Sequence, residues 1–264
     1  MITVIFPAYD EAGVIGPALA ALGDVAAGEA ETYRAILVDD GSTDGTVAEA
    51  EAAVASLALP LIVLRHPTNM GLGAGLRTGI YHCLDESSAD DDVIVTLDAD
   101  GTHPPALIPQ LVAELRRGHD LVVASRFQAG ASVTGVPFFR QVLSDGGRLV
   151  FRVAFPIRGL RDYTCCFRAY RMGLLRDARR AYGDDLVTAR GFEAVLDLVL
   201  RLRPLEPRIA EIPLHLDYGP RVGRSKMHVV RTIRRTLVLI ATRWIERWTT
   251  DSPKRVRARV AAAR

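Results

Sequence analysis

No apolar run in the 264 residues approaches the ~18 that a membrane-spanning helix requires. Cysteine is scarce, and Cys83, Cys165 and Cys166 follow no metal or redox spacing, so a reduced cytosolic compartment is the simplest reading. Internal repeats and low-complexity linkers are missing too. The opening "MITVIFPAYDEAG" meets a proline and two acids too early to read as a signal peptide. Basic charge is nearly missing from the first part of the chain. Residues 1 to 125 hold 19 acidic and 5 basic side chains, a net of −14, and the remainder holds 12 and 28, a net of +16, which together give the formal +2. An acidic half followed by a basic half predicts two partners of different character, with a membrane surface or a polyanion suited to the second.

What is present is the balance of an ordinary globular protein, with 49% hydrophobic and 24% charged residues. "ITVIFPAY", "RAILVDDG", "LIVLRH" and "DVIVTLDADG" are short β-branched runs stopped by turn residues, a pattern of strands buried on both faces. Helical patterns lie between them, one expected to start near Ser42 with Ser42, Thr43 and Asp44 available as caps. The alternation predicts an α/β fold with a mostly parallel sheet covered by helices. "HVVRTIRRTLVLIATRWIERW" has helical periodicity. Val230, Ile233, Leu237, Ala241, Trp244 and Trp248 recur every three or four residues, and such a helix can pack on the domain, on a second subunit or in a membrane interface. The segment holding Phe138, Phe139, Val142, Leu149, Val150, Phe151 and Phe155 among arginines suits either an interface or the core. The basic tail 251–264 is expected to be disordered.

In a parallel sheet the loops at the carboxyl ends of the strands form the ligand crevice. "PAYDEAG", "DDGSTDGT", "HPTNMGLGAGLRTG" and "DADGTHPP" follow the first four strands in turn. Asp98 and Asp100 stand two apart, so an extended backbone turns both carboxylates to one side. Two carboxylates so placed repel unless a cation sits between them, and an all-oxygen set suits magnesium or manganese gripping a diphosphate rather than zinc. His103, just beyond, can be a ligand, a phosphate contact or a turn residue. The glycines at 71, 73, 75 and 79 do not fit the dinucleotide fingerprint. They are expected to let backbone approach a sugar or phosphate, with Arg77 adding charge.

The set "PAYDE", "VDDGSTDGT", "NMGLGAGLRTG", "DADGTHPP", "ASRF", "DYTCCFRAY" and "VGRSKM", in this order over about residues 3 to 227, resembles the family-2 glycosyltransferases, and within them the dolichyl- and polyprenyl-phosphate mannosyl- and glucosyltransferases. The resemblance implies a GT-A fold over residues 1–227, with a nucleotide-sugar half (about 1–125) and an acceptor half (about 126–227). The amphipathic helix 228–250 and the tail would follow. It implies a GDP- or UDP-sugar donor, a Mg or Mn cation, a polyprenyl or dolichyl phosphate acceptor, and an anionic membrane surface on the cytoplasmic inner face. No nucleic acid is implied, and a second copy or a membrane protein is a candidate partner. Carried over by residue, Pro7, Tyr9, Glu11, Asp39 and Asp40 would hold base and ribose, while Gly71, Gly73 and Arg77 would line the donor pocket. Asp98 and Asp100 would be the metal-binding D-x-D. Arg126, Arg140 and Ser144 would receive the acceptor phosphate, with Arg126 also taken as catalytic, and Asp162 belongs to the acceptor side. Lys226 would close over the donor phosphates.

The chain departs from the family pattern in three places. Thr102 stands where a glutamine ligand is common, Cys165 and Cys166 replace small residues near the acceptor, and Pro220 replaces an arginine, leaving Arg221 or Arg224 to take its place. The implied reaction is an inverting displacement by an already ionised phosphate, which needs positioning more than a base. A hydroxyl acceptor would instead need a general base, for which Asp162 and Glu193 are the candidates. A non-catalytic nucleotide-sugar-binding protein is the remaining alternative.

Overall fold

The computed structural model describes residues 1–135, 138–217 and 229–263, with the side chains of 138–145, 217, 229 and 230 outside the description. In chain order the elements are β1 (Ile2–Ala8), α1 (Ile15–Gly28), β2 (Tyr33–Asp39), α2 (Thr46–Val54), β3 (Leu61–Arg65), α3 (Leu72–Glu86), β4 (Val93–Thr96), α4 (Ile108–Arg116), β5 (Leu121–Ser125) and β6 (Ser132–Thr134). They continue with α5 (Phe138–Ala154), β7 (Arg168–Arg171), α6 (Met172–Tyr182), α7 (Ala194–Leu202), β8 (Ile209–Pro213), β9 (His215–Asp217), α8 (Val229–Glu246) and α9 (Pro253–Ala262).

The apolar runs become a seven-stranded sheet of order β3-β2-β1-β4-β7-β5-β8. It is parallel except for β7, which runs antiparallel to both β4 and β5. The "LIVLR" and "IAEIP" strands lie at the two edges and are only partly buried, whereas β1, β2, β4 and β5 are almost entirely buried, as runs covered on both faces must be. The order reverses between β1 and β4, and such a switch point opens a crevice at the carboxyl ends of the strands. Because β7 is antiparallel to its two neighbours, β4 and β5 point the same way, and the residues after β5 reach the same edge as those after β4. The segment entering β7 starts from that edge as well. The GT-A architecture implied by the motifs is therefore present, with β6 and β9 forming a small separate ribbon.

Two expectations are corrected. The second helix begins at Thr46 rather than near Ser42, because Ser42 and Thr43 are drawn off to the loop after β1, while Asp44 accepts from the Thr46 N–H at 2.9 Å. The tail is not disordered over 253–262 but forms α9, which buries Val256 and Val260 against the domain. Asp251 just before it is buried on Arg201, at 2.9 Å, and Arg201 and Arg259 both lie over the Tyr182 ring. A charged tail can order in this way because its arginines find carboxylate, carbonyl and ring partners on the domain. In α8, Ile233, Leu237 and Trp244 are exposed, as is Trp248 just beyond it at 68%, while Leu239 and Ile240 pack partly against the core and Arg243 is buried. The α5 segment divides, burying Phe151 and Phe155 and exposing Leu149, Val150 and Val153. Among the described residues no helix is long and apolar enough to cross a membrane.

Candidate active site

The chain leaves β4 with burial alternating residue by residue. Leu97 and Ala99 are buried while Asp98 and Asp100 are half-buried, and the chain passes from the strand end at Thr96 into a turn at Ala99 and Asp100 rather than staying extended as expected. Thr102 donates to Asp100 Oδ1 from both its N–H (3.1 Å) and its hydroxyl (2.6 Å). The residue at the position of the missing glutamine thus props the second carboxylate. His103 is fixed in place: its Nδ1 accepts the Asp98 N–H at 3.0 Å, its ring stacks on Phe167 with centroids 5.3 Å apart, and it is buried. A nitrogen occupied by a backbone N–H is not offered to a cation. Among the described residues no three metal-binding side chains gather. An oxygen-only pair of this kind fits a hard divalent cation that takes its remaining ligands from a diphosphate.

The first two loops are laced together. Asp10, at φ +48° in the left-handed region that non-glycine residues rarely adopt, donates its N–H to Ser42 Oγ at 2.9 Å and accepts from Thr43 N–H at 2.8 Å. Glu11 N–H donates to Thr46 Oγ1, and Glu49 accepts from the N–H groups of Gly13 and Gly16. Much of "DDGSTDGT" therefore shapes the "PAYDEAG" loop, leaving Tyr9 and Glu11 half-buried at the crevice. Nearby Asp10 raises the Tyr9 phenol above its ordinary pKa.

Asp39 and Asp40 are both buried and serve as anchors. Asp39 Oδ1 accepts from Ser42 N–H. Asp40 has both oxygens engaged: Oδ1 meets His66 Nδ1 (2.7 Å) and Met70 N–H (2.9 Å), and Oδ2 accepts from Gly71 N–H (2.7 Å). Its carboxylate holds the glycine loop in place. Those glycines make close approaches to the chain itself. A Cβ on Gly73 would lie 1.8 Å from Ala189 O, and one on Gly71, at φ +94°, would lie 2.3 Å from Arg190 O. The absence of side chains lets the start of α3 seat on residues 189–190, closed by Gly73 N–H to Arg190 O at 2.9 Å. Pro7 sits in β1 under α3, and Arg77 is half-buried on α3 one turn before Tyr81.

Across the crevice, Arg126 follows β5 and forks onto Asp162. Its Nε reaches Oδ2 at 2.8 Å, its Nη2 reaches Oδ1 at 2.7 Å, its N–H reaches Oδ2 at 3.1 Å, and Nη2 also meets Thr164 Oγ1. The N–H groups of Thr164 and Cys165 complete five donations to one carboxylate. Burial alone would raise the Asp162 pKa, but the Arg126 charge and these hydrogen bonds outweigh it and hold it at about 2. A carboxyl so acidic is a poor general base at neutral pH. Arg126, with 21% of its side chain exposed, is thus held rigid at the crevice. Arg168, fully buried in β7, donates to the carbonyls of Asp162 and Tyr163 and fixes this turn from below. Burial pushes the Cys165 thiol up to about 12, so it sits behind the site as an inert apolar group.

Arg140 and Ser144 lie on α5 with side chains outside the description, and Arg221 and Lys226 fall outside the described residues altogether. His66, and Asp197 with Arg243, were not legible as site-supporting residues, since the pairs His66–Asp40 and Asp197–Arg243 join side chains 26 and 46 residues apart in sequence. A buried ionisable residue inside an apolar helix, such as Asp197, is the one available signal.

The sequence profile described as "Glycosyl transferase family 2" matches residues 3–179. The chain belongs to glycosyltransferase family 2. It is 33% identical over 227 residues to the undecaprenyl-phosphate mannosyltransferase of Micrococcus luteus, covering 86% of this chain and 87% of that one. It is 28% identical over 227 residues to the dolichol-phosphate mannosyltransferase of Pyrococcus furiosus, where it spans 86% of its own length but only 59% of the relative's. In fold, this family-2 chain resembles glucosyl-3-phosphoglycerate synthase from Mycobacterium tuberculosis, solved with Mn2+, UDP and phosphoglyceric acid, at a TM-score of 0.65 and 20% identity over 92% of this chain and 78% of that one.

Proposed function

We propose that this family-2 glycosyltransferase moves a hexose, mannose by preference, from a GDP- or UDP-sugar to a polyprenyl or dolichyl phosphate at a membrane surface, with inversion at the anomeric carbon. The observation that carries the reading is the pairing across one sheet edge of the Asp98–Asp100 carboxylates with an arginine, Arg126, locked in place by a buried carboxylate. The names of the sequence relatives supply the acceptor class.

Asp98 and Asp100 would hold a Mg or Mn ion, which when bound offsets the charge developing on the departing diphosphate. Thr102 keeps the Asp100 carboxylate oriented, and the His103 ring keeps the Asp98 backbone in register. The lipid phosphate is its own nucleophile, since its second pKa of about 6 leaves it ionised near neutral pH. Arg126 presents fixed donors to it, and Arg140, Ser144 and Arg221 are proposed to join it. Lys226 is proposed to face the diphosphate. No general base is required, in keeping with the low pKa of Asp162.

The exposed apolar residues of α8 and the C-terminal part of α5, set among arginines, would lie in an anionic interface on the cytoplasmic side. The test is a donor screen with Mn2+ and a short polyprenyl phosphate, following nucleoside diphosphate release in the wild type and in Asp100→Ala. Turnover with GDP-mannose that is abolished in the variant is expected. Turnover undiminished in Asp100→Ala, or transfer to free sugars with none to the lipid phosphate, would overturn the reading.

A further inference from the structure

The amphipathic helix α8 is joined to the glycine loop of the donor side by a continuous set of contacts. Asp197, on α7, is fully buried and has both oxygens engaged in opposite directions. Toward α8, its Oδ1 accepts from Arg243, with Nε at 2.7 Å and Nη2 at 2.6 Å. Toward the loop before α7, its Oδ2 accepts from Thr188 N–H (3.1 Å), Thr188 Oγ1 (3.0 Å) and Ala189 N–H (3.1 Å). Arg243 Nη2 also donates to Thr188 Oγ1 at 3.0 Å. The far side of this short segment is the surface on which the glycine loop rests, because Ala189 O and Arg190 O are the atoms that side chains at Gly73 and Gly71 would strike. The glycine loop is in turn fastened to β2 through Asp40.

Residues 188–190 are therefore clamped between an arginine of α8 and the donor-side loop. Elsewhere α8 and this segment are parted by a cavity of about 860 Å³ lined in part by Arg190, Glu193, Arg235 and Val238. Two further bridges across it are longer, Arg235 to Glu193 at 4.0 Å and Arg201 to Glu246 at 3.7 Å. A position set by one tight, buried ion pair beside a cavity depends on that pair more than a close-packed one would.

We infer that Asp197 is a positioning residue for nucleotide-sugar binding, through which α8, otherwise a surface helix, forms a mechanical part of the donor site. The inference rests on the proposed reading of the 69–73 loop as donor-side. It predicts that cutting the pair at its α8 end, far from any donor contact, weakens nucleotide binding.

The experiment measures the Kd of GDP and of UDP with Mn2+ by calorimetry on the full chain. The proteins are the wild type, Asp197→Asn, Arg243→Met, the double variant and the conservative Asp197→Glu, all at a temperature where circular dichroism shows each folded. Both single variants are expected to weaken the preferred nucleotide by about 5-fold or more. The double variant should be no worse than the worse single, since both break one link. Asp197→Glu should recover part of the loss. In turnover the donor KM should rise with kcat nearly unchanged. If the folded variants melt earlier yet bind nucleotide as the wild type does, Asp197 is a structural anchor only and the inference is overturned. If the wild type itself binds neither nucleotide, the donor reading fails and takes the inference with it. Should Asp197→Asn fail to fold, Arg243→Met and Thr188→Val decide by the same readout.

Discussion

Replacing Asp162 with asparagine removes the charge on which five donors converge. The amide can accept on one side only and turns an NH2 toward Arg126 or toward the Thr164 and Cys165 N–H groups, so at least two donors lose their acceptor. Lowering the pKa from 3.8 to about 2 corresponds to about 2 kcal/mol of stability for the ionised form. Stranding a partly buried guanidinium brings the expected loss to about 3–5 kcal/mol at pH 7. That is roughly a 10 °C fall in Tm for a chain of this size. The assay is urea unfolding followed by circular dichroism, wild type against Asp162→Asn, from pH 7 downward. Because the folded pKa is the lower one, the stabilisation is fully present above the unfolded value near 3.8 and is lost as pH falls toward about 2. The gap between the two proteins should therefore be constant from pH 7 to about 5 and narrow below pH 4. A gap under about 1 kcal/mol at pH 7 would refute the account of Asp162 as an anchor. So would an undestabilised variant whose turnover collapses, together with a wild-type rate limb near neutral pH that the variant lacks, the signature of a general base.

Gly73→Ala should destabilise the fold by about 1–3 kcal/mol or more and abolish nucleotide binding, since its Cβ would meet backbone oxygen at 1.8 Å. Gly28→Ala, with nothing within 4 Å, is the control that should be neutral or mildly stabilising in the same melt. Asp251→Ala leaves buried Arg201 with Glu246, 3.7 Å away, as its carboxylate and the Tyr182 ring beneath it, and should cost about 3 kcal/mol. Limited proteolysis should then cut within 253–263 far faster than in the wild type; unchanged cleavage would mean that α9 holds without the pair.

The fold was legible because the strands of this sheet carry their own signature. "TVIFPA", "AILVD" and "VIVT" can be satisfied only by burial on both faces, and the polar turns that stop them mark one sheet edge. The D-x-D was legible because two carboxylates closing an apolar run form a motif of adjacent residues, whatever the rest of the chain does. The role of a polar residue within that edge was not legible, because it depends on which distant group arrives opposite. Ser42 and Thr43 read as helix caps yet serve Asp10, and that Asp40 holds the glycine loop could not be read from its own surroundings in sequence.

The sequence by itself determined the parallel sheet, the family and the carboxylate pair, all of which follow from local periodicity and from motifs a few residues long. Tertiary structure alone decided that the glycines receive backbone from residues 189–190, that α8 exposes Ile233, Leu237 and Trp244, and that a basic tail folds into α9. The physical reason is range. Hydrophobic patterning acts over one or two turns of chain, whereas a buried charge such as Asp162, Asp197 or Asp251 is tolerable only where the packed fold delivers an arginine to it, 36, 46 or 50 residues away.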